Sequence, residues 1–187
     1  MDSQLTLVDP GPPTVYFLSS SDLKDAVVYA HPSDPLYCVK SEAGQMTIVD
    51  GHHPSRVIAI IHHKELRPDT ISFPTLDGTG TVTSTQKWLK KTKLPDGTVV
   101  RVMDTKLGSY VWKADSRSRL RIFSGHDLEN PVAACYLNHS CGKPILALEY
   151  VAEPLRDDIV VAYLIHRRKM VMEDLALDVI VGGQRRA

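Results

Sequence analysis

The sequence predicts a mainly β protein, a closed or nearly closed antiparallel β-barrel of about twelve strands around a hydrophobic C-terminal α-helix. Three observations carry that prediction. Short β-branched and aromatic segments recur along the chain at spacings of roughly 8 to 12 residues, separated by turn chemistry. No helical period of useful length appears before residue 155. Finally, every residue from Ile159 to Ile165 is apolar or a tyrosine, which leaves no face for water.

The elements follow in order. Asp9-Pro-Gly-Pro-Pro13 is non-helical, because proline fixes φ and lacks a donor. Residues 1–13 therefore form a lead-in, flexible as a whole, ahead of one domain over 14–176 and a tail over 177–187. The strand-like runs are TVYFL (from Thr14), AVVYA (Ala26), LYCVK (Leu36), MTIVD (Met46), SRVIAIIHH (Ser55) and TISF (Thr70). They continue through TGTVTS, KWLKK, TVVRVM, YVWKA, LRIF, VAACYL and ILALEYV to Val151. Ser19 to Ala26 offers at most one helical turn. Asp77-Gly78 and Asp96-Gly97 are tight-turn signals, and the second separates two runs as a hairpin does.

After Pro154 the pattern changes. Asp157 or Asp158 caps a helix start and complements its positive end. Seven apolar residues cover only about 10 Å, far short of a bilayer, so protein must surround this helix, expected over about 155–176. The polar and basic run His166 to Lys169 marks where it emerges into water.

Lysine plus arginine equals aspartate plus glutamate at 22 each, so the formal net charge is zero. That argues against nucleic-acid binding, which relies on a large positive field. No signal peptide or transmembrane run is visible, and the three cysteines form no CxxC pair, so a reduced cytoplasmic setting is expected. Cys38 and Cys135 lie in apolar runs as core residues. Cys141, with His139 and Lys143 close by in sequence, is the exposed thiol.

The stretches TVYFLSSSDLKDAVVYAHPSDPLYCVKSE, DGTVVRVMDTKLGSYVWK, NPVAACYLNHS and DDIVVAYLIHRRKM resemble an uncharacterised domain family of basidiomycete fungi. The resemblance runs from about Thr14 to Met172. It implies a fold similar to the tubby C-terminal and LURP-one barrels, about twelve strands around a central C-terminal helix, and it brings no assigned chemistry. The polar, Thr- and Gly-rich region from Asp69 to Lys87 departs from the pattern and is expected to be a family-specific loop.

Candidate sites are few. His52-His53 and His62-His63 are paired, but neighbours on a strand point to opposite faces, and no HxH or HExxH spacing occurs; no metal and no cofactor is expected. Lys87, Lys90, Lys91 and Lys93, interleaved with Trp88, form the densest basic-aromatic cluster. Some tubby-like barrels bind phosphoinositides through basic wall residues, so the resemblance points to this cluster for ligand binding; solvated edge lysines are the plainer alternative. Tyr110 and Trp112 share one strand face and are assigned to the core around the helix.

Two functions follow. The first is an intracellular binding or interaction module that engages an anionic lipid headgroup or an apolar small molecule. The second is a small fungal enzyme doing His-based acid/base chemistry on an apolar secondary metabolite, with His62, His63 and His126 as first catalytic candidates. They differ in whether titratable groups converge in one apolar pocket.

Overall fold

A hairpin meander accounts for nearly the whole sheet of this molecule, known here from a computed structural model. The structure describes residues 11–20, 23–75, 80–115, 119–138 and 142–184, with the side chains of the last helix described through Met172. Strands β1 (Thr14–Leu18), β2 (Asp25–His31), β3 (Asp34–Glu42), β4 (Gln45–Asp50), β5 (Val57–His62), β6 (Thr70–Phe73) and β7 (Thr81–Ser84) pair in succession. A one-turn helix, α1 (Thr85–Trp88), follows. A second meander then runs through β8 (Leu89–Lys93), β9 (Val99–Thr105), β10 (Gly108–Asp115), β11 (Arg119–Ser124), β12 (Asp127–Leu137) and β13 (Pro144–Leu148). β13 pairs antiparallel with β1, which joins the two meanders into one sheet of thirteen strands.

Full closure is not seen. Among the described residues there are thirteen strands, in keeping with about twelve, and no ladder joins the edge strands β7 and β8, so hydrogen bonds do not close the sheet. The physical reason is parity. Every paired neighbour is antiparallel, so with thirteen strands β7 and β8 run in the same direction. A parallel pair needs a crossover of a dozen residues or more, and α1 supplies a single turn. The Asp69 to Lys87 region is likewise no single loop, because it holds β6, β7 and most of α1. Ser84 caps α1 by accepting from the Lys87 amide at 3.2 Å.

The expected helix is present as α2 (Arg156–Gln184), entered through a 3-10 turn over Tyr150–Leu155 that contains Pro154. It runs past the expected limit at residue 176. All seven residues from Ile159 to Ile165 are at most 5% exposed, so the rod is covered around its full circumference. One core cluster joins them to buried side chains from every strand except β7, among them Met46, Ile61, Met103 and Leu148. Burying a helix with no polar face requires the sheet to curl round it.

Trp112 is in this core and Tyr110 packs against it, as their shared parity implied. Val111, on the opposite face, joins Val100 and Phe123 in a small outer cluster. Cys135 is buried as expected, whereas Cys38 is only half-buried, because its parity faces it away from its core neighbours Tyr37 and Val39. The Asp96-Gly97 turn closes β8 onto β9, with the Leu94 amide donating to Thr98 O at 2.9 Å and Gly97 at φ 83°. Asp77-Gly78, Cys141 and residues 1–10 of the lead-in lie outside the described residues. Of the segment Ser19 to Ala26, Ser19, Ser20, Leu23 and Lys24 lie in the β1–β2 connection and Asp25 and Ala26 begin β2, while residues 21–22 lie outside the described residues.

The register defines two ends. Asp50, Arg56, Thr105 and Leu148 lie beside the start of α2, here the start end; Glu42, His62, Lys93 and Leu137 lie where α2 leaves the sheet, the exit end.

Candidate functional site

At the start end the 3-10 turn and the first turn of α2 are tied to three parts of the sheet. The Tyr16 hydroxyl of β1 donates to Glu153 Oε1 at 2.8 Å. The Tyr37 hydroxyl of β3 donates to Asp157 Oδ1 and accepts from Arg156 Nε at 3.1 Å. Arg56, just before β5, bridges Asp157 Oδ2 and Asp50 Oδ2, each at 2.9 Å. Asp50 Oδ1 in turn accepts the amides of His52 and His53. The Asp157 carboxylate therefore holds Tyr37 and Arg56, a tertiary role beyond the helix cap expected of it.

The electrostatics make this a clamp. Burial, reinforced by the hydrogen bond to Glu153, pushes the Tyr16 hydroxyl up to about 12. Burial and Asp157 drive Tyr37 further up. Both phenols are thus neutral donors near pH 7 and are poorly suited to deprotonation. Burial works to raise the Asp50 carboxyl, but the two histidine amides and Arg56 outweigh it and hold the group below the usual carboxylate range.

Asp158 differs, because burial and then the neighbouring Asp157 raise its carboxyl, with only Lys106 opposing. A carboxyl raised in the folded state carries a cost once it ionises, and that cost is absent while the unfolded group is also protonated, below about pH 4. Asp158→Asn is therefore expected to melt higher than the wild type at pH 7. The difference should shrink to nothing by about pH 3 in parallel calorimetric scans. A variant less stable at pH 7 would refute this sign.

The catalytic candidates do not converge. His62 is exposed at the exit end of β5, opposite Gln45 and Thr70. His63 is mostly covered, with Nδ1 2.8 Å from Asp69 Oδ2 and Nε2 buried without a partner. His126 is exposed in the β11–β12 turn at the start end. Among the described residues no three His, Cys, Asp or Glu side chains are arranged to hold a metal ion.

The basic-aromatic cluster divides as well. Lys87 and Trp88 belong to α1, and Trp88 packs on Phe73 with ring centroids 5.1 Å apart. Lys90, opposite Val102, shares the outer face of the edge strand β8; Lys91, opposite Arg101, and Lys93 share the other. All three strand lysines are exposed.

At the exit end His166 is 9% exposed and stacks on Trp112, centroids 5.0 Å apart, so α2 emerges at Arg167 and not at His166 as expected. Burial, then the positive Arg101 and Lys169, pushes the imidazole down to about 3, which keeps it neutral. A shallow depression with room for about one water lies beside Tyr163, Arg167, Met170 and Leu137.

Two things that sequence reasoning missed stand out. The start-end clamp joins residues as far as 137 positions apart, beyond any local signal. The second is the distribution of charge. Of the described lysines and arginines only Arg56, Lys106 and Arg156 lie at the start end; the rest lie midway along the strands or at the exit end. Acidic groups occur at both ends: Asp34, Asp50, Asp104, Glu149, Glu153 and Asp157 lie at the start end, and Asp25, Glu42, Asp69 and Asp96 at the exit end.

The molecule is thus a mainly β domain, a thirteen-stranded antiparallel sheet on a buried C-terminal helix, with its polar chemistry at the two ends of that helix. Residues 21–172 match the model of a family of unknown function, DUF6593, and the chain belongs to that family. No curated protein matches the sequence. Among solved structures, an X-ray structure of a protein from Arabidopsis thaliana is similar at 14% identity and a TM-score of 0.45, over 90% of this chain and 97% of that one. No helix among the described residues is long and apolar enough to cross a membrane.

Proposed function

We propose that the protein is an intracellular binding module with a tubby-like, LURP-one-like architecture, and that it engages anionic lipid headgroups with its exit end. The observation that carries this reading is the placement of basic charge: in a chain of zero net charge, every described lysine and arginine except Arg56, Lys106 and Arg156 lies midway along the strands or at the exit end. Lys91, Lys93, Arg101, Arg167, Arg168 and Lys169 contribute there, and the exposed Leu66 and Leu137 sit among them at the same end. A basic rim with apolar tips suits an anionic interface, where each basic side chain contributes roughly 1 kcal/mol. The depression beside Arg167 gives an apolar metabolite little room, which favours a headgroup. The separation of His62 and His63 from His126 likewise favours a module over an enzyme.

Co-sedimentation with vesicles of phosphatidylserine and phosphatidylcholine tests the reading. Binding is expected at low salt and should weaken toward physiological salt, where screening limits exposed charges to about 8 Å. Lys90→Glu with Lys91→Glu should reduce it at least about tenfold without lowering the melting temperature, because both side chains are in water. Wild-type protein that ignores the anionic vesicles at low salt would overturn the proposal.

A further inference from the structure

We infer that Trp112, His166 and Arg167 form the inner seat of a site for one oxyanion, a phosphate or carboxylate group that enters at the exit end. Trp112 Nε1, His166 Nε2 and Arg167 Nε are each buried without a hydrogen-bond partner, and they make up three of the four such side-chain atoms among the described residues. The Trp112 and His166 rings stack with centroids 5.0 Å apart, and Arg167 follows His166 on the helix.

Their chemistry points one way. Indole Nε1 and guanidinium Nε only donate, and a neutral imidazole donates from Nε2 in one tautomer. The charges that His166 feels, Arg101 and Lys169, are both positive. Donors under a positive field are complementary to a negative, acceptor-rich group. A buried donor left unpaired costs stability, so three together mark a place where stability is given up for binding. The depression beside Arg167 and Met170 meets the seat on its Arg167 side only, since Trp112 and His166 do not line it; entry requires these two unbranched side chains to move aside.

The inference rests on the proposed function only in taking the exit end as the face that meets anions. A lipid headgroup and a free anion share the chemistry, and the test separates them. The chain has two tryptophans, so Trp88→Phe leaves Trp112 as the sole indole reporter. Its N–H resonance is followed by NMR during additions of sodium phosphate, sodium acetate and sodium chloride at matched ionic strength, and of phosphatidylserine vesicles.

A saturable shift with phosphate or acetate but not chloride supports a seat for a free anion. A shift with vesicles alone supports a headgroup. In either case His166→Phe, which keeps the stacking but removes the nitrogens, and Arg167→Gln should each weaken the response at least about tenfold, and His166→Phe should raise the melting temperature. Arg167 is half-buried, so its variant keeps the test alive if His166→Phe fails to fold. No saturable shift with any addition, an equal response to chloride, or a response untouched by either variant overturns the seat. Vesicle binding that leaves Trp112 unmoved overturns the seat and leaves the docking proposal standing.

Discussion

Deleting everything after Pro154 is expected to leave a chain that does not fold. The deletion removes Ile159, Val160, Val161, Tyr163, Leu164 and Ile165, all at most 5% exposed, from the centre of the sheet. Burying each large apolar side chain contributes roughly 1.5 to 3 kcal/mol. Their joint loss matches or exceeds the whole stability of a typical domain, about 5 to 15 kcal/mol. The remaining sheet also loses the surface on which Met46, Ile61, Met103 and Leu148 pack. Expression of residues 1–154 should give insoluble or molten material with no cooperative melting transition. A soluble, monomeric chain with a sharp transition would show that the sheet does not depend on the helix.

Gly51→Ala should lower the melting temperature by roughly 6 to 12 °C. The reason is space and not backbone angle. A Cβ at Gly51 would stand 1.9 Å from Pro35 O, 2.5 Å from Pro35 C and 3.0 Å from Leu36 C, all backbone atoms with no flexible end to retreat. The Gly51 amide donates to Leu36 O at 2.8 Å, so relieving the clash means parting β4 from β3 where they meet. The adjacent Asp50 organises the turn through the His52 and His53 amides and carries Arg56 toward Asp157. Forced overpacking of this kind costs about 1 to 3 kcal/mol, and this contact belongs at the upper limit. For a chain of this length each kcal/mol shifts the midpoint by roughly 2 to 4 °C. A calorimetric midpoint within 2 °C or so of wild type would show that the close approach is relieved at little cost.

Local patterns were legible wherever one residue type has one physical meaning. β-branched runs became strands, Asp96-Gly97 became a hairpin turn, and alternation placed Trp112 inward and Val111 outward. KWLKK was legible only in part, because Ser84 caps a helical turn that takes Lys87 and Trp88 out of the strand. The clamp was not legible at all. Tyr37 and Arg56 meet Asp157 across 120 and 101 positions, and nothing beside any of the three announces the others.

The sequence by itself determined that this chain is a mainly β domain with a buried helix near its C-terminus. Seven consecutive residues without a polar face can be satisfied only inside protein, whatever the surroundings turn out to be. Only the tertiary structure decided that the sheet stays open between β7 and β8, since closure depends on the parity of the strand count and on the length of one connection. It also decided how the charges divide. Net charge is a sum and was zero from the start. Which end of the helix each lysine or aspartate lies beside depends on the register of pairing, and register is settled by the whole sheet packing on its core.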